Sequence, residues 1–526
     1  MKRSNVLVLV MLLVISLFGC SPGKDATTKQ SDNGGKVTGG ELQVAYNAQP
    51  PTMDPLLTSA VATRDITRHI FESLVTFITF NQKFEVEPML AESYEVSDDG
   101  KTITFQLRKG IKFHNGDEMT VEDVVSSMNR WKDTTPMGKA YFSKATFKES
   151  GENAVVLEMP ERLSTALAML ADPGQSAVIV PKEVNEGATE KGLSEFIGTG
   201  PFQFKEWKTD QYIHLEKFED YQSLEKESGG LAGKKEALVD DIYFQFITDA
   251  STRLAGIQTG EYDVANAIPF DNGEQLEANA DVTIYVDHNG FNGIVFNKKQ
   301  GLFKNVTARQ AVNAALDLEE VLKASFTNEN YYELEHGLMI KDQESWYSEA
   351  GKDQYNQNDK EKAKKILKDA GYNGEEIVML TSRDYEDHYN AAVVVQQELE
   401  KIGMKVKLDV YDWPTLLEKR EDPNAFDIFV TGFPTEQIPA KYSFLDSAKE
   451  WPGWSDSPEI DELLDQINRS ASQEEAKKYF AQLQEEFYQY LPIIKFGNKT
   501  TITATRSNIE GMGFLQGIIL WNVEKK

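Results

Sequence analysis

Two charged residues stand where the chain has just left a β-strand. Arg383 follows the strand expected over Ile377 to Leu380, and Glu436 follows the apolar run Phe426-Asp427-Ile428-Phe429-Val430-Thr431-Gly432-Phe433. A guanidinium offers a planar fork to a carboxylate, and a carboxylate accepts from an ammonium; each contact is stronger than a neutral hydrogen bond. Fixed at opposite ends of a cleft, such a pair grips a zwitterion and measures its length. The other reading of Arg383 is a surface charge flanking a helix. Aromatic residues accompany the pair: Tyr385, Phe433, and Trp413 at the end of the strand expected over Val406 to Val410. Each serves equally well as a cleft wall or a packing post.

Other chemistries find little support. His69, His114, His214, His288, His336 and His388 are scattered, with no HExxH and no pair at ligand spacing along a helix, so no resident metal is expected. His388 lies near Arg383, which leaves a metal-complex solute open. There is no nucleophile elbow, and with 84 acidic residues paired carboxylates arise by chance and say nothing about hydrolysis. In Gly229 to Lys235 (GGLAGKK) the first glycine of a phosphate loop would fall on Ser228 and its Ser or Thr on Lys235. Both positions fail, so the stretch reads as a surface loop, and ATP hydrolysis belongs to another chain. No cofactor and no enzymatic activity are expected, an extracytoplasmic enzyme or a chaperone for exported chains standing only as a third reading.

The formal charge of −29 would repel a phosphate backbone, which excludes nucleic acid as a partner. A length of 526 residues with 40% hydrophobic residues points to about three domain-sized modules. The one cysteine, Cys20, permits no intramolecular disulfide. Lys2 and Arg3 precede a run from Val6 to Phe18 broken only by Ser16, which reads as a signal peptide over residues 1–19 and is too short to span a bilayer. Leu17-Phe18-Gly19-Cys20 resembles the lipobox of bacterial lipoproteins, departing from it at Phe18. That resemblance implies cleavage before Cys20, a diacylglycerol thioether on its sulfur, and a chain held at the outer face of a cytoplasmic membrane. Residues 20–40, rich in Gly, Ser, Thr, Lys and Asp, bury too little to repay their ordering and read as a tether.

The elements that position the charged pair are legible in the pattern. Leu42, Val44 and Tyr46 alternate as a strand; Thr63 to Leu74 is a helix candidate with Ile66, Ile70 and Leu74 on one side. A hairpin turns at Asp99-Gly100, with Ile103, Phe105 and Leu107 on its buried face. Thr120 caps a helix that repeats Val121, Val124, Val125 and Met128 and carries Glu122 and Asp123 in its first turn. Thr146 to Pro160 closes a small sheet, and Leu163 to Leu170 is helical. From Asp359 to Val410 helices and strands alternate, which implies a mainly parallel sheet whose ligands lie at the carboxyl ends of its strands. Ser457-Pro458 opens one more helix, and Ser472 with Glu475 forms a capping box for a last long helix ended by Leu491-Pro492. Thr500 to Ile519 supplies the final strands.

The run from Ala91 to Val125 (AESYEVSDDGKTITFQLRKGIKFHNGDEMTVEDVV) closely resembles the diagnostic segment of the family 5 solute-binding proteins of ABC importers, the group holding dipeptide-, oligopeptide- and nickel-binding proteins. Asp54-Pro55, the Gly198-Thr199-Gly200-Pro201-Phe202 turn, Ile257 to Ala265 and the R-Q-A-x-x-x-A-x-D pattern from Arg309 to Asp317 extend the likeness from Leu42 to the C-terminus. The glycines of the 198–202 turn are expected to supply backbone geometry that other residues resist. The resemblance implies an α/β protein with a two-lobe periplasmic-binding-protein-like (type II, cluster C) fold and an extra domain inserted in the first lobe. It places lobe I over 41–75, 196–285 and 495–526, the insert over 76–195 and lobe II over 286–494. It further implies a monomer that captures a peptide or peptide-like solute and delivers it to permease subunits with separate ATPases. By alignment Arg383 takes the peptide carboxylate and Glu436 its α-amino group. Glu replaces Asp there, and Thr435-Glu436-Gln437-Ile438-Pro439 lacks the Asp-Pro that often follows, which keeps open a non-peptide solute such as an opine, a sugar-phosphate or a metal complex.

Overall fold

A computed structural model describes residues 38–80 and 83–526. Cys20, the signal peptide and the tether up to residue 37 lie outside the described residues. The organising feature is one 11-stranded sheet. Its long strands are β1 (Glu41–Tyr46), β2 (Phe202–Lys208), β3 (Tyr212–Lys217), β4 (Asp241–Phe246), β5 (Val264–Ile268), β6 (Val282–Phe296), β7 (Glu376–Ser382), β8 (Lys405–Tyr411), β9 (Ile428–Pro434) and β10 (Ile493–Arg506). Their order in space is β8-β7-β9-β6-β10-β5-β1-β4-β3-β2.

At the centre β6 and β10 pair antiparallel along almost their whole length, and from them the sheet runs out into two halves. On one side β7 lies parallel to both β8 and β9; on the other β1 lies parallel to β4 and β5. The β6–β10 ladder shifts register between His288 and Gly290 and again between Asn292 and Gly293. Such bulges bend and twist a strand pair, and here they fall where the two halves join. Runs such as Ile377, Met379 and Leu380 or Ile428, Phe429 and Val430 are fully buried, as strands covered on both faces require.

A separate four-stranded antiparallel sheet takes the order Ala91–Val96, Thr102–Leu107, Ala154–Glu158, Thr146–Glu149. Its hairpin turns where expected, with Gly100 at φ 68°, and Ile103, Phe105 and Leu107 are buried. The helix Val121–Thr134 packs on it through Val124, Met128 and Trp131. Thr120 and Asp123 form a reciprocal capping box: the Thr hydroxyl accepts the Asp123 N–H at 3.3 Å and the Asp carboxylate accepts the Thr120 N–H at 2.8 Å. Asp123 also accepts the Lys182 N–H, so the cap ties two segments together. Thr120→Ala is expected to lower stability by about 1 kcal/mol, read as a lower urea midpoint at unchanged slope.

Several expected elements differ. The helix of residues 63–74 is Val61–Thr67; beyond it the carbonyls of His69, Ile70 and Glu72 accept N–H groups of Phe202, Gly200 and Ile179. Tertiary hydrogen bonds thus replace the last two helical turns. The helix of residues 163–170 is only Ala166–Leu170, because the Ser164 N–H reaches across to the Asn468 carbonyl. Ser472 caps the helix Gln473–Tyr490, but the Glu475 carboxylate takes the Ala471 N–H in place of the Ser472 N–H. The last long strand begins at Ile493, directly after Pro492, and not at Thr500. Lys235 is buried against Glu72 at 2.9 Å, with Tyr221 and Thr199 donating to the same carboxylate, so the 229–235 loop ends in a core ion pair.

Candidate functional site

Because β7, β8 and β9 run in parallel, the three segments that follow them leave the sheet at one edge. Arg383 follows β7, Trp413 follows β8, and Glu436 follows β9. Topology alone gathers these residues on the carboxyl ends of the strands, where open α/β sheets bind ligands.

Arg383 is exposed, and its guanidinium lies over the Tyr389 ring at 4.1 Å while donating to the Tyr389 hydroxyl at 2.7 Å. Among the described residues no carboxylate pairs with it. Tyr385, 41% exposed, stacks on His388 at 4.9 Å and meets the Trp413 ring edge-on at 4.8 Å. The Trp413 N–H donates to the Asp384 carboxylate, which fixes the two segments to each other. Arg383, Tyr385 and Trp413 therefore form one neighbourhood. His388 beneath them is buried, and burial pushes its imidazole down to about 4, so it is neutral at physiological pH. Phe433 lies elsewhere: it is 8% exposed and packs with Phe291, Phe444 and Trp451 at 4.9–5.7 Å.

Glu436 has a partner that its sequence context did not announce. The Lys441 ammonium lies 2.5 Å from the Glu436 carboxylate and 2.6 Å from that of Asp172, which follows the helix Ala166–Leu170. Lys441, Glu436 and Asp172 have side chains only 11%, 12% and 4% exposed. Burial works against the ammonium, yet the two carboxylates outweigh it and hold the Lys441 pKa above its ordinary value. Burial, aided by Glu436, raises the Asp172 carboxyl against the pull of Lys441.

The same seam is closed at further points. Gln516 Nε2 donates to the Thr435 carbonyl at 2.5 Å, Tyr141 OH donates to Asp446 at 3.1 Å, and Thr165 Oγ1 donates to Asn468 Oδ1 at 2.9 Å. Segments from both sides of β6 and β10 thus enclose the loop after β9. Asp65, on the helix Val61–Thr67 that follows β1, accepts from Tyr46 OH at 2.8 Å and pairs with Arg64 at 3.1 Å. Sequence reasoning missed Lys441, Asp172 and Gln516. Lys441 lies five residues after Glu436 and was within reach of inspection; the other two come from distant segments and carry no local signal.

A two-half sheet crossed by one strand pair, with its ligand edge enclosed between the halves, is the two-lobe type II architecture of periplasmic binding proteins. The chain belongs to the bacterial extracellular solute-binding proteins, family 5, whose middle-region model matches residues 85–455. Oligopeptide-binding protein AppA of Bacillus subtilis is 28% identical, over 100% of this chain and 98% of its own length. Dipeptide-binding protein DppE of the same organism is 27% identical over 92% of each chain. The structure of AgaA from A. tumefaciens R10 in complex with agropinic acid superposes with a TM-score of 0.78 at 26% identity, over 93% of this chain and 99% of that one. The structure of B. subtilis AppA in complex with a nonapeptide shares the fold, with a TM-score of 0.77 at 24% identity over 92% and 97% of the two chains. No helix among the described residues is long and apolar enough to cross a membrane.

Proposed function

We propose that the protein is the receptor of an ABC importer for peptides or peptide-like solutes, which it captures between its lobes and delivers to permease subunits powered by separate ATPases. The observation that carries this reading is the enclosure of the carboxyl edge of β7, β8 and β9, with Lys441 bridging Glu436 to Asp172 across the seam. Contacts that exist only when the lobes are shut make closure a population shift that a solute can drive. The relatives named for oligopeptides and dipeptides support a peptide solute. Arg383 is the anchor for its carboxylate, and Tyr385 and Trp413 form a wall beside it; Phe433 supports the loop that carries Glu436. Lobe I comprises 41–75, 196–285 and 495–526, the insert 76–195 and lobe II 286–494. The protein acts as a monomer, held to the outer face of the membrane by lipid on Cys20.

A second reading is favoured by one contact: Glu436 already holds an internal ammonium, so a solute without a free α-amino group needs no partner there. An opine, a sugar-phosphate or a metal complex meets that condition, and the agropinic-acid complex of AgaA lends it weight. Thermal shift of the 21–526 form against di-, tri- and longer peptides, glutathione, nickel complexes, opines and sugar-phosphates separates the two, because a ligand bound only by the folded state raises the midpoint. A peptide hit weakened at least tenfold by Arg383→Ala supports the first reading. Hits from non-peptide compounds alone overturn it in favour of the second.

A further inference from the structure

A cavity lies against the loop that follows Glu436, with Gln437 and Ile438 in its wall. It has a volume of about 380 Å³ and runs between the inserted hairpin sheet and the segments around Trp346 and Gln437. That is within the range of roughly 300–1,000 Å³ typical of small-molecule sites. Phe77, Ile103, Leu163, Trp346 and Ile438 give it an apolar wall, and Val96, 43% exposed, also lines it.

One wall residue is out of keeping with its surroundings. Gln437 is 4% exposed, yet both its Oε1 and its Nε2 lack a hydrogen-bond partner. A buried amide with neither donor nor acceptor satisfied is costly to fold around, and such groups in native proteins call for a cause. The loop around it is not loose: Gln343 Nε2 donates to the Glu436 carbonyl at 2.6 Å while Gln343 Oε1 accepts the Ile340 N–H at 3.0 Å. The backbone just before Gln437 is therefore held in place. The buried part of the wall, from Phe77 and Ile103 to Trp346 and Ile438, carries no charged side chain.

We propose that this pocket is a subsite for the interior of a peptide solute: it takes one apolar side chain, and Gln437 pairs with the adjoining backbone amide. A peptide unit offers one C=O and one N–H, which complement the two open atoms of Gln437, and it brings no charge into the buried part of the wall, the charged Arg162 and Glu344 lying on its more exposed side. The proposal rests on the peptide reading of the cleft and extends it, since the carboxylate of the solute stays with Arg383 at the strand edge.

The test uses N-acetyl-phenylalanine amide, which has an apolar ring and two amides but no charged end, and so makes no demand on Arg383. Calorimetric or ligand-observed NMR titration of the wild-type 21–526 protein is compared with Gln437→Leu, which keeps the volume and removes the amide, and with Ala168→Trp, which fills the pocket. Saturable binding weakened at least tenfold in both variants is the expected result. Absence of saturable binding to the wild type, or equal affinity in Gln437→Leu, overturns the subsite. If Ala168→Trp does not fold, Gln437→Leu decides alone. A peptide panel that fails while the capped amino acid binds through Gln437 sinks the peptide reading and leaves the pocket; peptides that bind while the capped amino acid does not sink the pocket alone.

Discussion

Replacing Lys441 by Met opens the molecule. In the shut form the ammonium sits between Asp172 and Glu436 at 2.6 and 2.5 Å, and all three side chains are nearly removed from water. Without it two carboxylates face each other in a buried seam. Removing one partner of a buried ionic contact typically costs about 3–5 kcal/mol, because the charge left behind has lost both water and counterion. Here the lobes can part and rehydrate both acids, so the cost falls on the shut state. At 1.4 kcal/mol per factor of ten, the closed population drops by about 10²-fold or more relative to the open one. Small-angle X-ray scattering reads this as a larger radius of gyration for Lys441→Met than for the wild type. The effect weakens in acid: Asp172 is already raised, so one carboxyl takes up a proton as the pH falls and the seam closes again. Adding Glu436→Gln to Lys441→Met removes the repulsion between the two acids and recovers part of the closure, with Asp172 left as the one buried carboxylate. An unchanged radius across pH 5 to 8 sinks the role given to Lys441.

Gly198→Ala strikes the fold itself. A Cβ there would lie 2.1 Å from the Ile70 carbonyl oxygen and 2.7 Å from the Phe71 ring, and at Gly200 2.5 Å from the His69 oxygen. The nearest obstacle at each glycine is a backbone oxygen, held by the Gly200 N–H to Ile70 and the Phe202 N–H to His69 at 2.9 and 3.1 Å, with the His114 N–H on the Gly198 carbonyl at 3.0 Å. Those oxygens cannot yield as a side-chain tip would. Overpacking a tight site costs about 1–3 kcal/mol, and a backbone clash belongs at or above the upper end. Urea unfolding is expected to show a loss of about 3 kcal/mol, and a loss under about 0.5 kcal/mol contradicts the account. Neither glycine has positive φ, so the turn needs them for close approach and not for the conformational freedom that the sequence suggested.

Where local pattern and final contacts agree, the sequence was readable. The hairpin around Gly100 and the helix after Thr120 follow from alternation, a turn pair and a cap, and the structure keeps all three. The parallel pairing of β7 and β8 followed from the alternation of helices and strands over 359–410; β9, which comes after a helix of only seven residues, adds to them and brings Arg383, Trp413 and Glu436 to one edge. Legibility ended where distant segments intervene. Residues 68–74 keep a helical spacing of apolar side chains, but their carbonyls are taken by residues 179, 200 and 202, which no local window contains. Lys235 read as part of a surface loop because its partner, Glu72, belongs to another segment. The second acid on Lys441 was hidden for the same reason: Asp172 comes from a distant segment. Phe433 has the type of a cleft aromatic, and only its burial among Phe291, Phe444 and Trp451 separates it from the exposed Tyr385.

The central claim, that a solute is anchored by Arg383 at the enclosed strand edge, is tested most directly by calorimetric titration of the 21–526 protein and its Arg383→Ala variant with the best peptide found in the thermal screen. The account predicts one site, a negative heat-capacity change from apolar burial as the lobes close, and at least tenfold weaker binding to the variant. Equal affinity of the two proteins, or binding with no heat-capacity change, contradicts it.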